Sequence, residues 1–358
     1  MNKPIPLFVE LCAGTAAMSL RLHKAKARPP ITRMGSKAGY ADTILRVLGV
    51  EPGQGAERYL WCEPDDGVRL LLHCYQDKIL AEQAAEIIRS WIPFDARELW
   101  EQLKEEGPIK CPSSDPREAA RLLYRISVEY DSTLMRGGFV HPEKGGRYGA
   151  SREMVAKRTE SMVNIASGVS MIEKDATKVD PREVARWIRV VTSNTLINLD
   201  PETWKNTGRG GDTFGGIYCN PASGLCSRIG KVDQIENAAI AGKAFSPEVS
   251  LPAGTVCYMD PPYVNTTPYA HDLPRSEVVR LAKAWSEAGA IVCISEAEPI
   301  GELVAEGWYE REISWCRTGI GTRSFSKQQR EFLTMNIPGR HPGKPNRPLL
   351  KRKKGKVL

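Results

Sequence analysis

Leu7-Phe8-Val9-Glu10-Leu11-Cys12-Ala13-Gly14-Thr15-Ala16-Ala17-Met18-Ser19-Leu20-Arg21-Leu22 falls into three pieces. The first five residues are apolar around a single acid and predict a buried strand. Small residues follow and predict a tight turn, and Met18 to Leu22 predicts the opening of a helix. Strand, small-residue turn, helix is how a nucleotide-binding α/β unit begins, because small side chains let the backbone approach a ligand at the helix start. Outward from this stretch, Pro29-Pro30 marks a loop, Tyr40 to Leu48 a helical segment, and Tyr59-Leu60-Trp61-Cys62-Glu63 a second strand. A long helix is expected from about Gly67 past Tyr75, and residues 84–130 keep a helical period, as in Ala84, Ile87, Ile88 and Trp91. Residues 131–150 and 192–231 lose that period and fill with Gly, Arg and polar residues.

Regularity returns with short strands at 169–175 and 255–259, a helix at 275–288, a strand at 290–295, and a strand-like pair at 308–315 and 331–336. Strand–helix units at both ends of an irregular middle predict a doubly wound α/β sheet. The interruption is roughly 100 to 170 residues long, far beyond an ordinary loop. No internal repeat of fixed period is present.

The 358 residues, 41% hydrophobic and 26% charged, suffice for a properly buried core and exclude disorder throughout. The longest apolar runs fall short of a membrane span, and the N-terminus leads straight into a strand-like segment, so neither a membrane partner nor a signal peptide is expected. Nine scattered cysteines with no CxxC pair predict reduced thiols in a cytoplasmic protein. Cys219 and Cys226 are read as packed thiols, and no metal site is expected. The net charge is +7, yet Arg340, Lys344, Arg347, Lys351, Arg352, Lys353, Lys354 and Lys356 form a tail without acids. Removing those eight charges leaves the body at −1, so polyanion binding by the body requires a local patch.

The sharpest chemical signal is Asp260-Pro261-Pro262-Tyr263, directly after the strand Val256 to Met259. Chance yields this tetrapeptide in roughly one chain of this length in a thousand. Its position at the carboxyl end of a strand is where open α/β sheets bind ligands. Two prolines stiffen the turn, so the segment offers an acidic acceptor, a rigid carbonyl acceptor and an aromatic face. That set suits a planar ring carrying an exocyclic amine.

Together the two segments resemble the amino-directed DNA methyltransferases of the adenine-N6, Dam-like type, bacterial or phage. Phe8-Val9-Glu10-Leu11-Cys12-Ala13-Gly14-Thr15-Ala16 is similar to that family's F-x-E-x-F-x-G-x-G donor-binding turn, and Asp-Pro-Pro-Tyr to its catalytic signature. Arg33-Met34-Gly35-Ser36-Lys37 resembles its Gly-Gly-Lys segment, which helps bind the methyl donor, although it follows the first strand here where Dam-like enzymes place it before. Glu63 stands where the family's acid holds the ribose hydroxyls, and Asp175 where an acid contacts the donor's adenine. Leu273 to Glu296 and residues 323–336 resemble the family's long helix, following strand and closing hairpin. Ala16 replaces the second glycine, Cys12 an aromatic, and Glu296 an expected Asn.

The resemblance implies a Rossmann-like methyltransferase sheet and a site-specific enzyme. That enzyme would transfer methyl from S-adenosylmethionine to the N6 amine of a flipped adenine in double-stranded DNA, with no required protein partner. A cytosine-N4 enzyme and a non-catalytic DNA-binding protein on the same fold are the alternatives. Catalytic residues are then Asp260, Pro261, Pro262 and Tyr263, and cofactor-binding residues Phe8, Glu10, Cys12, Gly14, Lys37, Glu63 and Asp175. Arg136, Arg147, Tyr148, Lys205, Arg209 and Arg228 are candidate DNA contacts, since arginine among glycines can approach phosphates and read guanine. The expected division is 1–75 for the donor, 76–250 as a target-recognition insertion with 169–176 offering a strand back to the sheet, 251–337 for catalysis, and 338–358 as a basic disordered tail.

Overall fold

The computed structural model describes residues 3–27, 29, 37–110, 115–129, 139, 151–162, 171–173, 175–194, 250–262, 273–313 and 331–340. Seven strands form one mixed sheet: β1 (Phe8–Leu11), β2 (Tyr59–Cys62), β3 (Met171–Glu173), β4 (Val256–Met259), β5 (Ile291–Glu296), β6 (Tyr309–Glu312) and β7 (Phe332–Met335). Their order is β3-β2-β1-β4-β5-β7-β6. The first five in that row run parallel, and β7 lies antiparallel to both β5 and β6. Every residue of β1, β2 and β4 is buried, which explains their unbroken apolar runs: a parallel strand covered on both faces has no polar side to display.

The two-residue period divides the core. Phe8, Tyr59, Trp61, Val256, Tyr258 and Cys293 face one layer, which includes α1 (Ala17–Leu22), α2 (Ala41–Val47) and α3 (Asp66–Gln76). Leu7, Val9, Leu11, Leu60, Cys257 and Met259 face the other, covered by α8 (Pro181–Asn194), α9 (Arg275–Glu287) and α10 (Gly301–Ala305). Helices on both faces of a mostly parallel sheet make this an α/β molecule.

Between α3 and β3 lie α4 (Lys78–Ser90), α5 (Ala96–Glu105), α6 (Pro116–Val128) and α7 (Arg152–Glu160). Aspartates divide this helical stretch. Asp65, Asp77, Asp95 and Asp115 each accept hydrogen bonds from two backbone N–H groups at the starts of α3, α4, α5 and α6, satisfying donors that a new helix leaves open.

The described part of the span 76–250, expected as a partly helical insertion, packs into the main core. Ala84, Ile88, Leu122, Leu123, Val155 and Ala156 belong to the same core as β1 and β2. The edge strand β3 pairs with β2, and α8 covers the second face. The basic tail also begins later than residue 338, because Arg340 N–H donates to the Val47 carbonyl at 2.8 Å and Gly339 packs against Val47 and Met335. Among the described residues no helix is long and apolar enough to cross a membrane.

Candidate active site

β1 and β4 are neighbours, but the chain leaves β1 toward β2 on one side and leaves β4 toward β5 on the other. Open α/β sheets bind ligands at such a reversal, by the carboxyl ends of the two strands. The ladder extends one step past the strands: Asp260 N–H donates to the Leu11 carbonyl at 3.4 Å, and Ala13 N–H to the Cys62 carbonyl at 2.8 Å. The Asp260 turn and the Cys12–Ala16 turn therefore sit side by side.

The first turn is held in an unusual backbone. Cys12 (φ 64°), Gly14 (φ 51°) and Ala16 (φ 49°) all adopt left-handed conformations. Glycine accepts this freely, whereas Cys12 and Ala16 each carry a steric cost of about 1–2 kcal/mol. Among the described residues a Cβ built at Gly14 would meet nothing within 4 Å.

Two buried carboxylates brace this turn. Glu63, just past β2, accepts from Gly14 N–H at 2.8 Å through Oε2 and from Asp65 N–H at 3.1 Å through Oε1. Glu10 points from β1 into the start of α1, where it accepts from Met18 N–H at 3.2 Å and Ser19 N–H at 3.1 Å. The Ser19 hydroxyl also donates to Glu10 and itself accepts from Trp61 Nε1–H at 2.8 Å. Glu10 thus caps a helix from within the sheet, and burial pushes its pKa up to about 7 against the hydrogen bonds that favour the charged form. Phe8 is wholly buried, edge-on to Tyr59. Burial also pushes the Cys12 thiol up, with Glu63 and Asp260 adding to it, so this cysteine is a poor nucleophile.

Asp260 lies in a network of charged and polar groups. Lys37, on the 3-10 turn Lys37–Gly39, is 4% exposed and places Nζ 2.7 Å from Asp260 Oδ1 and 3.6 Å from Glu331 Oε1. Ser295 Oγ–H donates to the same Asp260 oxygen at 3.2 Å, and Ser295 is 2.8 Å from the Tyr258 hydroxyl. Beyond it, Glu296 closes β5 and pairs with Arg275 at 3.2 Å. Burial lifts the Glu296 pKa to about 7, partly offset by Arg275. Among the described residues no group of His, Cys, Asp or Glu could hold a metal ion.

Of the residues predicted from sequence, the structure brings together Cys12, Gly14, Lys37, Glu63, Asp260, Pro261 and Pro262 at the ends of β1, β2 and β4, with Phe8 and Glu10 inside the core beneath them. Asp175 lies two residues past β3, not in it, and its carboxylate caps the short 3-10 turn Ala176–Lys178 through Thr177 N–H at 2.9 Å and Oγ1 at 2.7 Å. Tyr263, residues 33–36, Arg136, Arg147, Tyr148, Lys205, Arg209 and Arg228 lie outside the described residues. Sequence reasoning missed Ser295, Glu331 and Tyr258 as neighbours of Asp260. A buried acid directly before the apolar run Phe332–Met335 was the available signal for Glu331. No family model matches the chain, and no curated protein matches it.

Proposed function

We propose that this chain is an S-adenosylmethionine-dependent DNA methyltransferase acting on the N6 amine of an adenine flipped out of the duplex. The observation that carries this reading is the juxtaposition of Asp260-Pro261-Pro262, at the end of β4, with the open left-handed turn around Gly14, at the end of β1. On this reading the sheet is the methyltransferase version of the Rossmann-like fold, built from 1–75 and 251–337 together with β3 and α8. DNA contacts are assigned to the Gly/Arg-rich stretches 131–150 and 204–231.

The residues present fit the donor. Among the described residues no side chain would crowd a Cβ at Gly14, so a ligand can approach that backbone closely, and the Glu63 carboxylate is of the type that accepts from ribose hydroxyls. When bound, S-adenosylmethionine supplies a methyl group on a positively charged sulfonium.

The chain's own residues address the other difficulty, the weak nucleophilicity of an aromatic amine. Its lone pair is delocalised into the ring. Asp260 Oδ2 and the Pro261 carbonyl can accept its two N–H protons, which favours a pyramidal nitrogen and frees the lone pair for in-line attack. Among the described residues Oδ2 has no hydrogen-bond partner, while Oδ1 is already held. No strong base is needed before attack, since the nitrogen becomes acidic only once methylated. The amine cannot reach this turn from inside a duplex, so the base must be extruded, at a cost of a few kcal/mol, and stacked, the role we assign to Tyr263.

Incubation of the protein with duplex DNA and donor carrying a labelled methyl group tests this reading. Nucleoside analysis should recover N6-methyladenine, and Asp260→Ala should lower transfer at least about 10²-fold. Recovery of N4-methylcytosine alone would reassign the base, and no transfer by the wild-type protein would overturn the proposal.

A further inference from the structure

We propose that Lys37, anchored by Glu331, is a positioning residue that clamps the Asp260 carboxylate for the incoming amine, and that it does not hold the methyl donor. This rests on the methyltransferase reading and deepens it, because it assigns Lys37 a task different from the one its sequence resemblance implies.

The argument starts from burial. An ammonium that is 4% exposed persists only if its charge is answered nearby, and here the carboxylates of Asp260 at 2.7 Å and Glu331 at 3.6 Å answer it. The charge of Lys37 is committed to protein groups. On the other side of the contact, Asp260 Oδ1 receives Lys37 and the Ser295 hydroxyl, and Ser295 is fixed in turn by Tyr258. Two donors on one oxygen set the rotation of the carboxylate and leave the second oxygen as the acceptor for substrate.

The surrounding charges give the clamp a second consequence. Glu10 and Cys12 from β1 and its turn, Tyr258 from β4 and Glu296 from β5 all feel the Asp260 charge. Glu331 approaches from the start of β7, and Arg275 answers Glu296. In that largely acidic setting Lys37 is, among the described residues, the cation in contact with Asp260. Its removal leaves Asp260 facing like charges with one donor fewer to hold its carboxylate in place.

The experiment compares wild type, Lys37→Met, Lys37→Arg, Glu331→Gln and the Lys37→Met/Glu331→Gln double variant in single-turnover methyl transfer. Donor affinity is measured by calorimetry with S-adenosylhomocysteine. Lys37→Met should lower the transfer rate about 10²-fold, with donor affinity within about twofold of wild type. Lys37→Arg should restore part of the rate. Glu331→Gln should cost less, and its effect should vanish in the Lys37→Met background, since Glu331 acts through Lys37. Lost donor affinity in Lys37→Met, with the transfer rate at saturating donor unchanged, overturns the clamp. Should Lys37→Met not fold, Lys37→Arg and Glu331→Gln carry the same comparison.

If wild type transfers no methyl at all, the methyltransferase reading has failed, and the clamp is decided separately by unfolding midpoints. A Lys37→Met/Asp260→Asn double variant no less stable than the weaker single variant supports direct coupling; additive losses refute it.

Discussion

Glu10 shows how one residue can satisfy a motif and still do structural work. Its spacing from Gly14 matches a ligand-binding pattern, and its carboxylate is taken up by the first turn of α1. The consequence is a pH dependence whose sign follows from the raised pKa. Below about 4.5 the carboxyl is protonated in both the folded and the unfolded chain, so it makes no difference to stability. Between about 4.5 and about 7 the unfolded chain ionises while the folded one holds its proton, so stability falls as pH rises, and it levels off above about 7. The total is on the order of 3 kcal/mol. Glu10→Gln keeps an acceptor without the titration. Urea unfolding of both proteins at pH 5 and pH 8 should show the variant gaining on wild type at the higher pH, and an equal gap at both would disprove the assignment. At this scale the sequence was legible for Gly14, whose φ of 51° and open surroundings suit glycine. It was not legible for the direction in which Glu10 points, because that depends on where α1 packs.

Elements were read best where neighbours in the chain carry the signal. The strand cores of β1, β2 and β4 are continuous apolar segments, whereas the aspartates that divide 66–128 into α3 to α6 were not read as helix starts. The place of β7 between β5 and β6 was not legible, since strand order depends on pairing across long chain separations. One side chain secures that arrangement. Asn336, one residue past β7, accepts from Val292 N–H at 2.9 Å and donates to the Ser286 hydroxyl at 2.9 Å and the Ala290 carbonyl at 2.8 Å. It ties β7 to the end of α9 and the start of β5. Asn336→Ala leaves those groups without this partner and should cost about 2–3 kcal/mol in urea unfolding. The methyl-transfer rate per folded molecule should be unchanged, because these bonds lie at the opposite end of β5 from Ser295 and Glu296; a rate loss as large as that of Asp260→Ala would contradict this separation.

For the whole molecule the decisive quantity is the distribution of charge. The chain carries +7, and Lys344, Arg347, Lys351, Arg352, Lys353, Lys354 and Lys356 all lie beyond Arg340, whose backbone is docked on α2. Truncation after Arg340 keeps the contact of its backbone with Val47 and, on the methyltransferase reading, should remove a salt-sensitive attraction for DNA. The slope of log affinity against log salt should fall by up to about 6, and affinity at low salt should drop, while the methylated base and its sequence context stay the same. A changed context would mean that this segment takes part in target recognition.

The amino-acid sequence alone determined the α/β alternation, the small-residue turn after β1 and the rigid acidic turn after β4, because each is written in consecutive residues whose shape and polarity act locally. Only the tertiary structure decided that Lys37, Asp260, Ser295 and Glu331 meet. These four come from distant parts of the chain, and it is the order of the strands, together with the low tolerance of a buried interior for an unanswered charge, that draws them to one point.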